Sequence, residues 1–423
     1  MRQIKSFILL SAVSFLLLAV LFFSGALNHI VSLWRNIIQA NSLAAVGPQV
    51  VVPMALVLNM STVWVGLRAG RREFFFLSLA TFALLLGASL EADLYRSFLS
   101  PVEWIAAVVL GVISVFIFRK TEVGSREPAL RRLFAQRLRP DSLRRLVDGN
   151  LSIDFPGELH DASVLVCSVH NHVDLMEMLA PSDYVSLMNL YLRAASDFLV
   201  DAGGYLDECS GESIRVIFGV PLKVEGAENH ASKAARTAID LVSRLEELNH
   251  ECDARWQKRL DFRIGVNSGA MIAAAYGGTL LGRYSVSGPV VEFARHLSAA
   301  CAQYGCRILA GPLTYEMSSG KMEGRPIDLL QRVGSRRRVE IYEFLAPKNF
   351  LSPEKERSRD QFWKGVIFFR ERKWDEALRA FSSARIPGIP DKALDHYLER
   401  IERARRGEDD PTPEQALLAE AVS

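Results

Sequence analysis

Residues 203–221 read GGYLDECSGESIRVIFGVP, and their pattern decides the fold of the soluble part of the chain. Apolar residues alternate with polar ones up to Ser210-Gly211 and resume at Ile214, Val216 and Phe218. That is the period of a strand with one buried face, interrupted by a tight turn. The stretch is therefore expected to be a β-hairpin.

Working outward, residues 162–169 (ASVLVCSV) read as a buried strand. Residues 182–202 read as an amphipathic helix with Tyr184, Leu187, Leu190 and Tyr191 on one side. After the hairpin, a helix over 229–249 is built on Ala231, Ala234, Ala235, Ala238 and Leu241. Residues 261–267 and 270–276 read as two strands around a Ser268-Gly269 turn, 284–287 begin another strand, and 290–304 form a third helix. This order predicts an α+β, ferredoxin-like sandwich over residues 160–347.

The first 118 residues differ in kind. Four apolar runs, 7–23, 50–67, 74–90 and 102–118, each have the ~17–25 residues a bilayer span needs. Arg2 and Lys5 precede the first run, Arg68, Arg71 and Arg72 separate the second and third, and Arg119 and Lys120 follow the fourth. Excess basic residues mark cytoplasmic loops, so the pattern predicts a four-span plasma (inner) membrane domain over 1–118 with both termini and the soluble domain cytoplasmic. Residues 119–159 read as a basic juxtamembrane linker, with Leu130, Leu133 and Phe134 on one helical face and Leu143 and Leu146 continuing it. A net charge of +2 gives no reason to expect a nucleic-acid partner. The five cysteines have no metal-finger spacing and read as free structural thiols.

Beyond the sandwich, Trp363, Gly365, Phe368, Trp374, Ala377, Phe381 and Ala384 resemble the tetratricopeptide pattern of two packed helices. With one further helix, residues 358–405 amount to too little repeat to stand alone, and they are expected to be a helical cap or a docking site for a protein partner. Residues 406–423 read as a disordered tail.

The hairpin, the strand before it, FRIGVNSG at 262–269 and YSVSGPVVEFARHL at 284–297 together resemble the class III adenylate/guanylate cyclases. The resemblance covers about 185 residues and implies the class III nucleotide cyclase fold. It also implies a site shared head to tail by two domains, in a homodimer or in a heterodimer with another cyclase domain. In that family two aspartates hold two divalent ions, Mg2+ or Mn2+, a lysine and an acidic or threonine partner read the base, and an asparagine and an arginine support the ribose and transition state.

Carried over position by position, the frame remains while the side chains differ. Ser168 falls at the first metal position and Glu212 at the second. Glu208 falls at the base-reading lysine, Arg283 at its partner, and Glu292 and His296 at the asparagine and arginine. Asp207 and Arg295 each lie one residue from a required position, but a one-residue shift along a strand reverses the face. The longer side chain of Glu212 displaces its carboxylate by about 1.5 Å, one carbon–carbon bond, where misplacement of about 1 Å costs roughly 100-fold. Glu208, Glu212 and Glu292 face the triphosphate region against Arg283 alone. His170 and His172 read as surface or loop histidines rather than metal ligands.

The expected function is thus a membrane-anchored cyclase-family signalling protein, catalytically inactive and acting as a dimerising regulatory module, with no cofactor required. The alternatives are an active divergent cyclase making cAMP or cGMP from ATP or GTP with Mg2+ or Mn2+, and a helical-repeat membrane adaptor.

Overall fold

The computed structural model describes all residues except 1, 38–43, 46, 70, 95–96, 99, 121–129, 132, 135, 149–156, 225, 227, 278–281, 332–337 and 408–423. The tail expected over 406–423 therefore falls almost wholly outside the described residues. The chain forms two compact units, Met1–Pro128 and Ala129–Ser423.

The first unit contains helices α1 (Arg2–Phe23), α2 (Ala26–Ile37), α3 (Pro48–Arg68), α4 (Arg71–Leu94) and α5 (Val102–Lys120). Among the described residues, α3, α4 and α5 are long and apolar enough to cross a membrane. The first expected span is bent instead. Helix α1 stops at a turn where Gly25 takes φ +75°, and α2 leaves at 69°, so a fourth span exists only if the pair is counted as one element. Asn59 is fully buried between helices: its side chain accepts from Ser14 Oγ at 2.7 Å and donates to the Ala107 carbonyl at 2.9 Å. Such hydrogen bonds tie α1, α3 and α5 where no water competes.

The second unit is a mixed α+β domain around a twisted sheet. Its strands are β1 (Glu158–Val169), β2 (Tyr205–Ser210), β3 (Ser213–Phe218), β4 (Phe262–Tyr276), β5 (Arg283–Ser287), β6 (Ile308–Ala310), β7 (Met322–Gln331) and β8 (Arg338–Pro347). Spatial order is β2-β3-β1-β4-β6-β8-β7, with β5 also paired to β4. The first four strands have the antiparallel order of a ferredoxin-like unit, as the sequence predicts.

Odd positions of β1, Leu165, Cys167 and Val169, face a core closed by α8 (Pro181–Asp201) and α9 (His230–Trp256). Asn229 caps α9 by accepting from the Ser232 amide at 2.7 Å. Even positions, Ala162, Val164 and Val166, face the opposite core, beneath α10 (Pro289–Tyr304). Gly265 lets α10 lie directly on β4, since a Cβ there would meet the Ala294 carbonyl oxygen at 2.1 Å.

Two expectations need correction. Residues 261–276 do not form two strands: β4 runs unbroken from Phe262 to Tyr276, and Ser268 and Gly269 pair in register with Ser163 and Ala162. Gly269 takes φ +150°, and the Ser268 hydroxyl bonds Ser163 Oγ at 2.6 Å and Thr314 Oγ1 at 2.9 Å, so what looked like turn chemistry stays inside the ladder. Residues 130–148, including helix α6 (Pro140–Asp148), are not a free linker. Leu130, Phe134 and Leu146 are completely buried in the core beneath the even face of β1.

The last three helices pack directly on the sheet. Helices α12 (Pro353–Arg370), α13 (Trp374–Ala384) and α14 (Lys392–Arg405) share a core with α10, β7 and β8. Phe362, Phe381 and Tyr397 lie there with Tyr304, Ile327 and Ile341. Buried Arg325 seals the joint, held by Glu343 at 2.8 Å and Asp391 at 2.5 Å. The apolar faces that a repeat array would turn to a partner are turned to the sheet.

Candidate functional site

The two expected metal positions meet at one end of the sheet. Ser168 lies at the end of β1, in register with Ser213 of β3, and its hydroxyl donates to Ser213 Oγ at 3.3 Å. Half-buried Glu212 sits in the hairpin turn, and its carbonyl accepts from the Val169 amide at 2.9 Å. The backbone frame is therefore closed, but only one of the two positions carries a carboxylate. At the same sheet end, Asp261 is occupied by Arg263 and Arg307, at 2.8 and 2.9 Å.

Among the described residues there is no group of three or more His, Cys, Asp or Glu side chains arranged to hold a metal. His172 Nδ1 points to the Val169 carbonyl at 2.9 Å, which only a protonated Nδ1 can satisfy. Burial lowers the His170 pKa, partly opposed by Asp261. One carboxylate and a neutral hydroxyl do not match a pair of divalent ions, which take several charged oxygen ligands.

The expected base-reading strand holds a feature that alternation conceals. Between Leu206 and Glu208 the β2–β3 register slips, so Asp207 is the extra residue of a β-bulge. Asp207 and Glu208 consequently reach the same guanidinium. Arg215 Nε lies 2.6 Å from Asp207 Oδ2, and Arg215 Nη1 lies 3.0 Å from Glu208 Oε2. The argument that neighbouring strand residues must face opposite sides fails here because the bulge breaks the period of two.

From Glu208 the charges continue onto α10. Arg295 Nη2 lies 3.9 Å from Glu208, and Arg295 Nη1 lies 3.7 Å from Glu292. The result is an ion-pair ladder, Asp207–Arg215–Glu208–Arg295–Glu292, running from full burial at Asp207 to about half exposure at Glu292. Glu208 and Glu292 thus have guanidinium partners, in contrast to the unbalanced acidic site read from sequence. His296, one turn beyond Glu292, is half-buried, and burial lowers its pKa against the opposing charge of Glu292. Arg283 is exposed at the start of β5.

Beside the ladder, Tyr205 donates from its hydroxyl to the Tyr284 carbonyl at 2.5 Å, and Phe134 packs on both rings with centroids 5.7 and 5.1 Å away. Arg137 Nη1 donates to the Asp207 carbonyl at 2.7 Å. Residues 130–148 therefore abut the very strand that carries Asp207 and Glu208.

With this geometry in place, comparison with known proteins is direct. Residues 156–321 match the family model described as the adenylate and guanylate cyclase catalytic domain. The chain carries a domain of that family. Its cyclase domain is 24% identical over 151 residues to an adenylate cyclase of Anabaena cylindrica, covering 35% of this chain and 28% of that protein. It is 28% identical over 185 residues to a soluble guanylate cyclase of Caenorhabditis elegans, covering 41% of this chain and 25% of that one. Among solved structures, the adenylyl cyclase CyaB from P. aeruginosa aligns at 23% identity with a TM-score of 0.43, over 47% of this chain and all of the other. The matches span only about a quarter of the length of these curated relatives.

Within the cyclase domain, the structure brings Ser168 and Glu212 together, and Glu208 and Glu292 through Arg295, while His296 and Arg283 stand outside both contacts. Sequence reasoning missed Arg215 and set Asp207 aside as facing the wrong side of the strand. The signal was a carboxylate pair on one strand with an arginine at the facing position of the next.

Proposed function

We propose that this chain is a membrane-anchored signalling protein of the adenylate/guanylate cyclase family whose domain no longer cyclises nucleotides. It acts instead as a dimerising regulatory module, alone or beside another cyclase domain. The single observation that carries this reading is Ser168: at the position matching the first metal carboxylate stands an uncharged hydroxyl whose proton goes to Ser213. A lone Glu212 leaves the developing phosphoryl charge without the paired ions that family chemistry relies on.

The ion-pair ladder supports the same conclusion. Glu208 and Glu292 are engaged by arginines, so a nucleotide entering in the family pose would have to displace Arg295 before reaching them. Anchoring rests on the three apolar helices and the bent pair, and the cytoplasmic orientation on the placement of Arg and Lys around them.

The test uses the purified full chain in detergent with ATP or GTP and Mn2+, product being read by chromatography. No cyclic nucleotide is expected with either substrate. Product formation that disappears in Glu212→Ala would establish the alternative, an active divergent cyclase.

A further inference from the structure

Farther back along β1 from Ser168, four side chains form a continuous row of hydrogen bonds. His230, the first residue of α9, has its Nδ1 2.8 Å from Ser163 Oγ on β1. Ser163 Oγ lies 2.6 Å from Ser268 Oγ on β4, which lies 2.9 Å from Thr314 Oγ1 on α11 (Pro312–Ser318). Beyond Thr314 the row ends at the Val266 carbonyl, 3.5 Å away. The three hydroxyl residues are buried, whereas His230 is only half-buried and within reach of solvent protons. Each hydroxyl has one proton to donate, so the direction of one bond sets the next. When neutral His230 carries its proton on Nε2, its Nδ1 accepts from Ser163, Ser163 accepts from Ser268, and Ser268 accepts from Thr314. With a proton on Nδ1 every bond reverses, and Thr314 donates to the Val266 carbonyl. A neutral imidazole permits both directions. An imidazolium permits only the second.

We propose that His230, Ser163, Ser268 and Thr314 act as one pH-responsive chain, in which charging of His230 fixes the direction of all three hydroxyls and is felt at α11. The two helices it links are already joined. Asn229 Nδ2 and Ser232 Oγ, at the start of α9, donate to the Met317 carbonyl of α11 at 2.9 and 3.2 Å. The chain adds to this joint a contact whose direction follows pH, and buried hydrogen bonds in series reinforce one another. Among the charged groups on the surrounding elements, Asp161 of β1 favours the charged imidazole, opposing the larger effect of burial. Glu228, ahead of α9, is held by Lys321 at 3.5 Å. Lys223 follows the hairpin exit, and Lys233 and Glu316 lie on α9 and α11 themselves. The proposal is independent of whether the domain turns over a nucleotide.

The experiment uses the full chain in detergent with 15N-labelled histidine and follows the His230 ring nitrogens by NMR from about pH 4 to 8. Thr314→Val keeps the side-chain shape, removes the far hydroxyl and touches His230 nowhere. In the direction that imidazolium requires, Ser268 then has no acceptor; in the other direction it still donates to Ser163. Thr314→Val is therefore expected to weaken proton binding at His230 about tenfold or more, the scale of one buried donor left unpaired. It should also move neutral His230 toward the tautomer protonated on Nε2. Ser268→Ala should act in the same direction, and it decides if Thr314→Val does not fold. Thr314→Ser returns the hydroxyl and should return the midpoint to that of wild type. His172, whose Nδ1 faces the Val169 carbonyl, is the internal control and should not move. An unmoved His230 midpoint in Thr314→Val or Ser268→Ala is the result for a histidine bonded to Ser163 alone, and it overturns the proposal. So does a midpoint that Thr314→Ser fails to restore, or a His230 that stays neutral throughout the range.

Discussion

Replacing Arg215 by methionine should be among the most damaging single changes in the cyclase domain. Asp207 is completely buried, its Oδ2 rests on Arg215 Nε at 2.6 Å, and among the described residues its Oδ1 has no hydrogen-bond partner. Removing the guanidinium leaves a buried carboxylate alone, which costs about 3–5 kcal/mol. Glu208 contributes little to that figure. It is about one-third exposed, so its share is that of a surface pair, about 0–1 kcal/mol. At about 2–4 °C per kcal/mol for a large domain, the domain's transition should fall by roughly 6–20 °C. Removing both charges reverses the outcome: Asp207→Val with Arg215→Met should recover to near wild-type stability, because well-packed apolar groups replace buried ion pairs at little or no cost. The assay is thermal unfolding of the full chain in detergent, followed by circular dichroism, with both single variants and the double variant closing a mutant cycle. A shift under 3 °C for Arg215→Met, or a double variant as unstable as the single, would refute the reasoning.

Other outcomes follow from separate parts of the fold. Gly265→Ala must push α10 off β4, because the new Cβ would meet backbone atoms of Ala294 and Ser298; the expected loss is about 1–3 kcal/mol or more, read from the same transition. Phe362→Ala should destabilise the whole second unit by about 3–5 kcal/mol, and a selective loss of α12–α14 with the sheet unaffected would contradict the shared core. Burial lowers the pKa of His170, His230 and His296 below 6.5. The unfolded chain then binds more protons, so stability rises with pH through the window below 6.5 and levels above it. His230→Gln should flatten that slope in unfolding measured from pH 5 to 8. Finally, Ser168→Asp with Glu212→Asp should create a Mn2+-dependent rise in unfolding temperature that wild type lacks.

How much of this was legible differs from residue to residue. The hairpin could be read because alternation and Gly211 act locally, and β1 because an uninterrupted apolar run admits few placements. The bulge at Asp207 could not, since its cause is a guanidinium on the next strand that accommodates two adjacent carboxylates. Ser268-Gly269 carries the composition of a turn, yet hydroxyl bonds to Ser163 and Thr314 keep it extended. For Phe134 and Phe381 the helical face was evident from spacing, but what that face meets depends on strands distant in sequence. Glu212 and Ser168 come together because the hairpin turn lies in register beside the end of β1. The arginine partners of Glu208 and Glu292 required the three-dimensional arrangement.

The shared core of α12–α14 has a consequence for how the protein is made. Strands β7 and β8 emerge from the ribosome before the helices that cover Ile327, Leu330 and Ile341. Until Tyr397 and Ile401 have been synthesised, that apolar surface is open to other nascent chains or to holding chaperones. Helix α14 therefore closes this core only after the sheet it covers has been made. A chain interrupted after Pro347 would carry every residue of the nucleotide-site positions and still be a substrate for quality control.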